Sequence, residues 1–268
     1  MTGDLLLQLV LPVMVATALA MTRITGAILV TPAFTRLGLT GIIRGGVALA
    51  LTLPLTPVLA EVLQNGQPLS PALVTAILLK ELVLGITIGL LFGVPIWAAE
   101  LAGDLLDLQR GSTAAALLDP SAIAESSITA TFFAISLLML FFAAGGFDLM
   151  VKGLYASYRI WPVASLGPIF DPGAGELLLK LLDEIMRFAL RLAAPIVIAL
   201  LFTDLAMALL ARTAPQLNIF ELSLSAKSLV FSVLLLIYSA FMIEYMRQDI
   251  SRLFDAEPFL HQLAPRRP

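Results

Sequence analysis

The sequence has no cysteine and a single histidine, His261. Without thiols it can form neither disulfides nor thiolate sites, and it has no His/Cys cluster at metal-ligand spacing. It also has no H-E-x-x-H, no G-x-S-x-G and no Gly-rich phosphate loop after a strand pattern. We therefore predict no catalytic residue, no metal and no cofactor, and the sequence disfavours an enzyme.

Charge is scarce as well. Asp, Glu, Lys and Arg make up 13% of the chain, about half their share in ordinary soluble domains. The net charge of −3 is too close to neutral to indicate nucleic acid or anionic lipid as a partner. Hydrophobic residues reach 59% and the mean hydropathy is +0.98. This composition predicts a membrane protein.

The most informative apolar segment is residues 126–147, which run for 22 residues without a charge. A helix of that length crosses the roughly 30 Å hydrocarbon core of a bilayer. Apolar segments lie at 5–34, 45–60, 69–99, 126–147, 188–211 and 228–243, followed by a C-terminal tail at 244–268. Prolines that kink helices interrupt most of them, at Pro12, Pro32, Pro54, Pro57, Pro95 and Pro195. We predict an all-α, polytopic integral membrane protein, one unit over 1–268, with kinked helices and hairpins.

Two features predict the topology. The first segment lacks a basic n-region and stays apolar past Ala18-Leu19-Ala20, which predicts an uncleaved first span. With six spans, eight Lys and Arg residues share the side of the C-terminal tail and five lie on the other side. The positive-inside rule then favours a cytoplasmic tail.

Glycines recur at every fourth residue in the third segment, at Gly85, Gly89 and Gly93. This spacing predicts a smooth helix face that another backbone approaches closely. Beyond it, Glu100, Asp104 and Asp107 share one helix face. Two interpretations of these acids stay open, a solvated helix end and an acidic surface that faces an aqueous path or a basic partner.

Four ionisable residues, Lys80, Glu81, Arg191 and Asp204, lie in apolar surroundings, where such groups usually pair or face an internal cavity. Arg191 and Asp204 are 13 residues apart, about 20 Å along a straight helix, so we expect their partners on other helices or subunits.

A stretch of small residues with an Asp-Pro breaker follows the acidic face. It is typical of a mobile or plug-like loop and equally of a plain connection. Its residues are Gly111, Ser112, Thr113, Ala114, Ala115, Ala116, Leu117, Leu118, Asp119, Pro120 and Ser121.

The strongest motif lies near the C-terminus. Its residues are Arg212-Thr-Ala-Pro215-Gln216-Leu217-Asn218-Ile219-Phe220 and then Lys227, with Ala194-Pro195 upstream. This stretch resembles the FliR/SctT family of type III secretion export-apparatus proteins, which serves flagella and virulence injectisomes. The resemblance extends over about residues 10 to 255, through Arg23, Pro32-Ala-Phe34 and the Glu81–Gly89 pattern. Ser225-Ala-Lys227-Ser and the 254–258 tail favour the injectisome branch.

The resemblance implies an inner-membrane subunit of an export gate through which unfolded proteins are secreted. It implies P-type (SctR/FliP) and Q-type (SctS/FliQ) partner subunits, a switch subunit (SctU/FlhB) near the C-terminal region, and a fold like a fusion of the P-type and Q-type folds. Residues 111–121 would then be the pore plug or gating loop. Arg212, Pro215, Gln216, Asn218, Phe220 and Lys227 would organise helix junctions or subunit contacts.

The main alternative is a secondary transporter for a small molecule. That class commonly has two-fold repeats with matching broken helices, and the sequence shows no such repeat.

Overall fold

The computed structural model describes residues 2–64, 70–111, 127–166, 169–214, 216, 218–252 and 256–264. These ranges are helical throughout, apart from short connections, and contain no strand. Their helices are α1 (Thr2–Val30), α2 (Pro32–Arg36), α3 (Gly41–Thr52), α4 (Thr56–Gln64), α5 (Pro71–Arg110), α6 (Ile128–Ala143), α7 (Gly146–Ile160), α8 (Ala174–Thr213), α9 (Ile219–Arg252) and α10 (Ala256–Leu263).

Four of these helices are long and apolar enough to cross a membrane: α1 over Val10–Val30, α5, α8, and α9 over Ile219–Gln248. Two bent pairs raise the number of spans to as many as six, α3 with α4 at 66° and α6 with α7 at 71°. The structure therefore confirms the predicted all-α, polytopic membrane protein.

The bends have local causes. Pro54 lies between α3 and α4, where it removes a backbone donor. Between α6 and α7, Gly145 has φ +78°, a left-handed conformation that ends a helix and that glycine adopts without steric cost. The uncharged run at 126–147 thus turns at Gly145 instead of continuing as one straight helix. Pro12, Pro95 and Pro195 lie inside α1, α5 and α8.

The described residues divide between two compact units. Unit 1 takes them from Met1–Gly93, Gly145–Leu181 and Arg252–Pro268, and unit 2 from Val94–Ala144 and Leu182–Ser251. The long helices α5 and α8 contribute to both. The core of unit 1 includes Leu19 of α1, Leu59 of α4, Ile77 of α5 and Tyr158 of α7. Part of the predicted C-terminal tail also belongs to this unit, since Leu260 and Leu263 of α10 are fully buried.

Glycines bring α1 and α5 into backbone contact in unit 1. A Cβ atom at Gly89 would lie 2.6 Å from the carbonyl oxygen of Ala27, and one at Gly85 would overlap the carbonyl of Arg23. Thr31 Oγ1 lies 3.2 Å from the carbonyl oxygen of Gly89, to which it donates. The absence of side chains on this face is therefore what allows the two helices to pack so closely.

A buried ionic cluster holds the same helices. Arg23 Nε lies 2.6 Å from Glu81 Oε2, and Lys80 Nζ lies 2.9 Å from Glu81 Oε1. The three side chains are at most 5% exposed. Lys80 and Glu81 thus pair with each other on α5, and Glu81 also pairs with Arg23 of α1.

The cluster also contacts the end of α7 and the segment that follows it. Arg23 donates to Ser157 Oγ and to the carbonyl of Trp161, both at 2.9 Å. Lys80 Nζ donates to three carbonyl oxygens, those of Pro162, Val163 and Ser165, at 2.8, 3.1 and 3.0 Å. One carboxylate thus serves two cations, and backbone carbonyls supply the remaining acceptors, as a buried charge requires.

We expect Gly85→Ala to destabilise the protein by about 1–3 kcal/mol, because a methyl group there overlaps backbone rather than a flexible side chain. The matched control is Gly46→Ala in α3, where a Cβ atom meets nothing within 4 Å. That change should be neutral or stabilising by about 0.5–1 kcal/mol. Thermal denaturation of the purified variants in detergent measures both effects, and equal midpoints for Gly85→Ala and wild type would contradict the packing account.

Candidate functional site at the base of the α5–α6 loop

The predicted gating loop begins where α5 ends, in unit 2. Gly111 is its one described residue, and 112–121 lie outside the described residues. Gly111 has φ +82°, and its N–H donates to the carbonyls of Asp107 and Leu108, both at 3.1 Å. A side chain here would be strained and would crowd Leu224, so glycine is the residue that terminates the helix at this point.

Asp107 joins the end of α5 to the start of α6. Its carboxylate accepts from Ser127 Oγ at 2.6 Å, from Thr129 Oγ1 at 2.6 Å and from the Thr129 N–H at 3.0 Å. Ser127 in turn is the N-cap of α6 and accepts from the N–H of Ala130 at 3.0 Å. Asp107 therefore satisfies donors at the first turn of α6, where a negative charge is also favoured by the helix dipole.

The same carboxylate pairs with Arg110 Nη2 at 2.8 Å. Asp107 is only 2% exposed. The interpretation as a solvated helix end therefore does not describe Asp107. Its charge is used inside the unit.

A glycine makes this junction possible. A Cβ atom at Gly103 would lie 2.6 Å from the carbonyl carbon of Thr129 and would overlap the backbone of Ala130. The α5 and α6 backbones therefore meet at Gly103, one turn before Asp107. The sequence did not single out Gly103 as a packing position, because it lies outside the fourfold spacing of Gly85, Gly89 and Gly93.

Lys227, on α9, connects the end of α5 to α8. Its Nζ donates to the carbonyl of Gln109 at 3.1 Å and lies 3.0 Å from Asp204 Oδ1. Asp204, on α8, accepts from Gln109 Nε2 at 3.3 Å and from Ser223 Oγ at 3.4 Å. A cation at the last carbonyls of α5 also opposes the negative end of that helix.

Arg110 completes the junction. Its guanidinium lies 4.6 Å from the ring centroid of Phe231 on α9, a cation–π contact. The last turn of α5 therefore contacts three helices: Asp107 binds α6, Gln109 binds Asp204 of α8, and Arg110 stacks on Phe231 of α9. The residues on either side of 112–126 therefore belong to one bonded cluster. We name it the loop base and define it as Asp107, Gln109, Arg110, Ser127, Thr129, Asp204 and Lys227.

The other predicted site residues lie elsewhere. Gly85 and Gly89 belong to the α1–α5 contact, and Gly93 is buried in α5. Of the motif, Arg212 lies in the last turn of α8 and is exposed, as are Gln216, Asn218 and Phe220, while Pro215 lies outside the described residues. Asn218 Nδ2 lies 3.2 Å from Glu221 Oε2 at the start of α9. The motif is thus the turn of the α8–α9 hairpin, and its member at the loop base is Lys227.

Several residues of the loop base were not predicted as site residues. Ser127 and Thr129 carried a signal, since Ser-Ser-Ile-Thr directly before an apolar run is typical of a helix N-terminus. The pairing of these two residues with Asp107, and that of Lys227 with Asp204, carried no signal, because both depend on which helices meet in three dimensions. Within the described residues, no group of three or more His, Cys, Asp or Glu side chains is placed to hold a metal ion.

We expect Asp107→Ala to destabilise the protein by about 1–3 kcal/mol, because it leaves buried donors of Ser127 and Thr129 without an acceptor. Hydrogen exchange should also accelerate at the Thr129 amide. The matched control is Asp148→Ala, an exposed carboxylate in an i,i+4 pair with Lys152, which should cost at most about 1 kcal/mol and leave that amide unchanged. Unchanged exchange at Thr129 in Asp107→Ala would contradict the assigned contact.

Comparison with known proteins identifies the family. Residues 14–253 match the model of the bacterial export proteins, family 1. The chain is 32% identical over 240 residues to the Yop proteins translocation protein T of Yersinia pestis, covering 88% of this chain and 90% of that one. It is 32% identical over 200 residues to the secretion system apparatus protein SsaT of Salmonella typhimurium, covering 73% and 75% of the two chains.

A flagellar relative matches less of the chain. The flagellar biosynthetic protein FliR of Bacillus subtilis is 30% identical over 159 residues, 59% of this chain and 61% of that one. The broader match to translocation protein T favours the injectisome branch. The chain therefore belongs to the bacterial export proteins, family 1, the FliR/SctT family predicted from its motif, and is a multi-helix membrane component of a type III secretion export apparatus.

Proposed function

We propose that this chain is a structural and gating subunit of an inner-membrane export gate that conducts unfolded proteins. In this proposal it assembles with P-type (SctR/FliP) and Q-type (SctS/FliQ) subunits, and the switch subunit (SctU/FlhB) lies near its C-terminal region. The chain works as a conduit component and not as an enzyme, and its tail at 244–268 faces the cytoplasm.

The observation that carries the proposal is the loop base. Residues 112–126 separate Gly111 from Ser127, yet both ends of the loop contact Asp107. The Gly111 N–H donates to the Asp107 carbonyl at 3.1 Å, and the Ser127 hydroxyl donates to its carboxylate at 2.6 Å. A loop whose two ends are both held at one residue is suited to narrowing a channel.

The loop's composition fits that role. Residues 111–118 are Gly, Ser, Thr, Ala and Leu, with no charge before Asp119. A constriction through which an unfolded substrate passes must not bind any kind of side chain strongly. Rings of fixed charge would bind side chains of opposite charge and would therefore slow their passage. We therefore assign the gating role to residues 111–121, as the family resemblance implies.

The uncovered faces of α8 and α9 fit partner subunits. Only 22% of the apolar window of α8 and 11% of that of α9 is buried within the chain, against 67% for α5. Such faces meet lipid or other membrane helices. We place subunit contacts at the exposed turn between these helices, which holds Arg212, Pro215, Gln216, Asn218 and Phe220. Lys227 is already engaged with Asp204 and Gln109, so in this proposal it organises the helix junction.

The test is to purify the tagged full-length chain from its own host in mild detergent and to identify the proteins that accompany it. We expect P-type and Q-type subunits in a stable complex. Phe220→Ala should weaken their recovery more than Phe202→Ala does, because both rings are exposed, at 72% and 66%, but only Phe220 lies in the motif. A stable monomer that binds a small solute and retains no other subunit would contradict the proposal and favour a transporter.

A further inference from the structure

We propose that unit 1 carries a binding site for an anionic phospholipid, in the groove between α4 and α7. This groove, the α4–α7 groove, has a volume of about 590 Å³. Its apolar side is formed by Leu55, Val58 and Val62, and its opposite side carries Lys152, Tyr155 and Arg159. The site does not depend on the gating role, because it rests on unit 1 alone.

The apolar side of the groove is uncovered. Val58 and Val62 are one helical turn apart on the same face of α4, and they are 63% and 45% exposed. Both belong to a bent pair, α3 with α4, that is apolar enough to be a membrane segment. Exposed valines that line a groove in a membrane segment form an apolar surface that a lipid acyl chain can cover.

The opposite side is basic. Lys152 and Arg159 are seven residues apart on α7, which places them on one face about 10 Å apart at 1.5 Å rise per residue. Arg159 is exposed and has no hydrogen-bond or ion-pair partner among the described residues. Lys152 pairs with Asp148 at 2.7 Å, but both side chains are about two-thirds or more exposed, so this pair is weak.

No Asp or Glu is among the described residues that line the groove, and the Asp148 partner of Lys152 is not one of its lining residues. The local charge is therefore complementary to an anion. The near-neutral charge of the whole chain predicted no anionic lipid, because a total over 268 residues does not reveal two cations that share one face. A basic pocket between membrane helices is a recognised site for acidic lipid headgroups.

The apolar side determines that the ligand is a lipid and not a free anion. A small anion would satisfy Arg159 but would leave the valines of α4 in contact with water. Tyr155 has the matching dual character, since its ring lines the groove while its hydroxyl donates to the carbonyl of Leu51 at 2.9 Å. Tyr, Lys and Arg together are typical of the interfacial zone of a bilayer. The headgroup phosphate would contact Arg159 and Lys152, and an acyl chain would lie along Val58 and Val62.

The test is native mass spectrometry of the full-length chain in detergent, titrated with dioleoyl phosphatidylglycerol or dioleoyl phosphatidylcholine. The wild-type chain should retain phosphatidylglycerol in preference to phosphatidylcholine. Arg159→Gln should lower phosphatidylglycerol retention about fivefold, as expected for one basic residue at an anionic headgroup, and should leave phosphatidylcholine retention unchanged.

The matched control for Arg159→Gln is Arg187→Gln on α8, which removes an exposed arginine outside the groove. This control should retain phosphatidylglycerol as the wild type does. Val58→Trp, which fills the groove, should lower the retention of both lipids. Thermal midpoints close to wild type show that each variant is folded.

Three results would overturn the proposal. The first is equal retention of the two lipids by the wild-type chain, and the second is equal loss of phosphatidylglycerol in Arg159→Gln and Arg187→Gln. The third is displacement of the lipid, either by inorganic phosphate or by partner subunits in the assembled complex. That result would assign the groove to a free anion or to a protein.

Discussion

Inside a membrane, a charge or a backbone polar group needs a partner from the protein itself. In the candidate site, Asp107 meets this requirement for both ends of the α5–α6 loop. Its buried carboxylate receives donors from α6, and its carbonyl receives the N–H of Gly111. If that carboxylate were removed, the first turn of α6 would lose its contacts with α5, and Asp107 would no longer join the two ends of the α5–α6 loop. The loop base, and with it the proposed gate, depends on this contact.

The helix that carries Asp107 serves both units. In unit 1, α5 presents Gly85 and Gly89 to α1 and supplies Lys80 and Glu81 to the buried ionic cluster. In unit 2, it supplies Gly103 and three residues of the loop base, Asp107, Gln109 and Arg110. One 40-residue helix thus combines close backbone contacts with paired charges. By contrast, α8 and α9 leave most of their apolar surface uncovered, which is the property expected of a subunit that works within a larger membrane assembly.

Much of the fold was predictable, because hydropathy and segment length report directly on membrane helices. The glycine spacing predicted a close backbone approach, and Gly85 and Gly89 do lie against α1. Asp107 was not predictable in the same way. Its spacing from Asp104 indicates only that the two carboxylates share a helix face. That Asp107 accepts hydrogen bonds from Ser127 and Thr129 at the start of α6 follows from the packing of the two helices. The turn at Gly145 was not predicted, because the length and lack of charge of 126–147 outweighed the turn signal of its Gly145-Gly146 pair. The predicted likeness to a fusion of P-type and Q-type folds stays a prediction.

The central claim, that secreted chains pass the α5–α6 loop, can be measured by cross-linking. Because the chain has no cysteine, Ala115→Cys introduces a unique thiol in the loop, and Phe202→Cys introduces one on an exposed face of α8. A secretion substrate fused to a domain that cannot unfold would stall in transit with its own single cysteine exposed. We expect a bifunctional maleimide to join the stalled substrate to Ala115→Cys and not to Phe202→Cys. A substrate that stalls yet cross-links to neither position, or to both equally, would contradict the account.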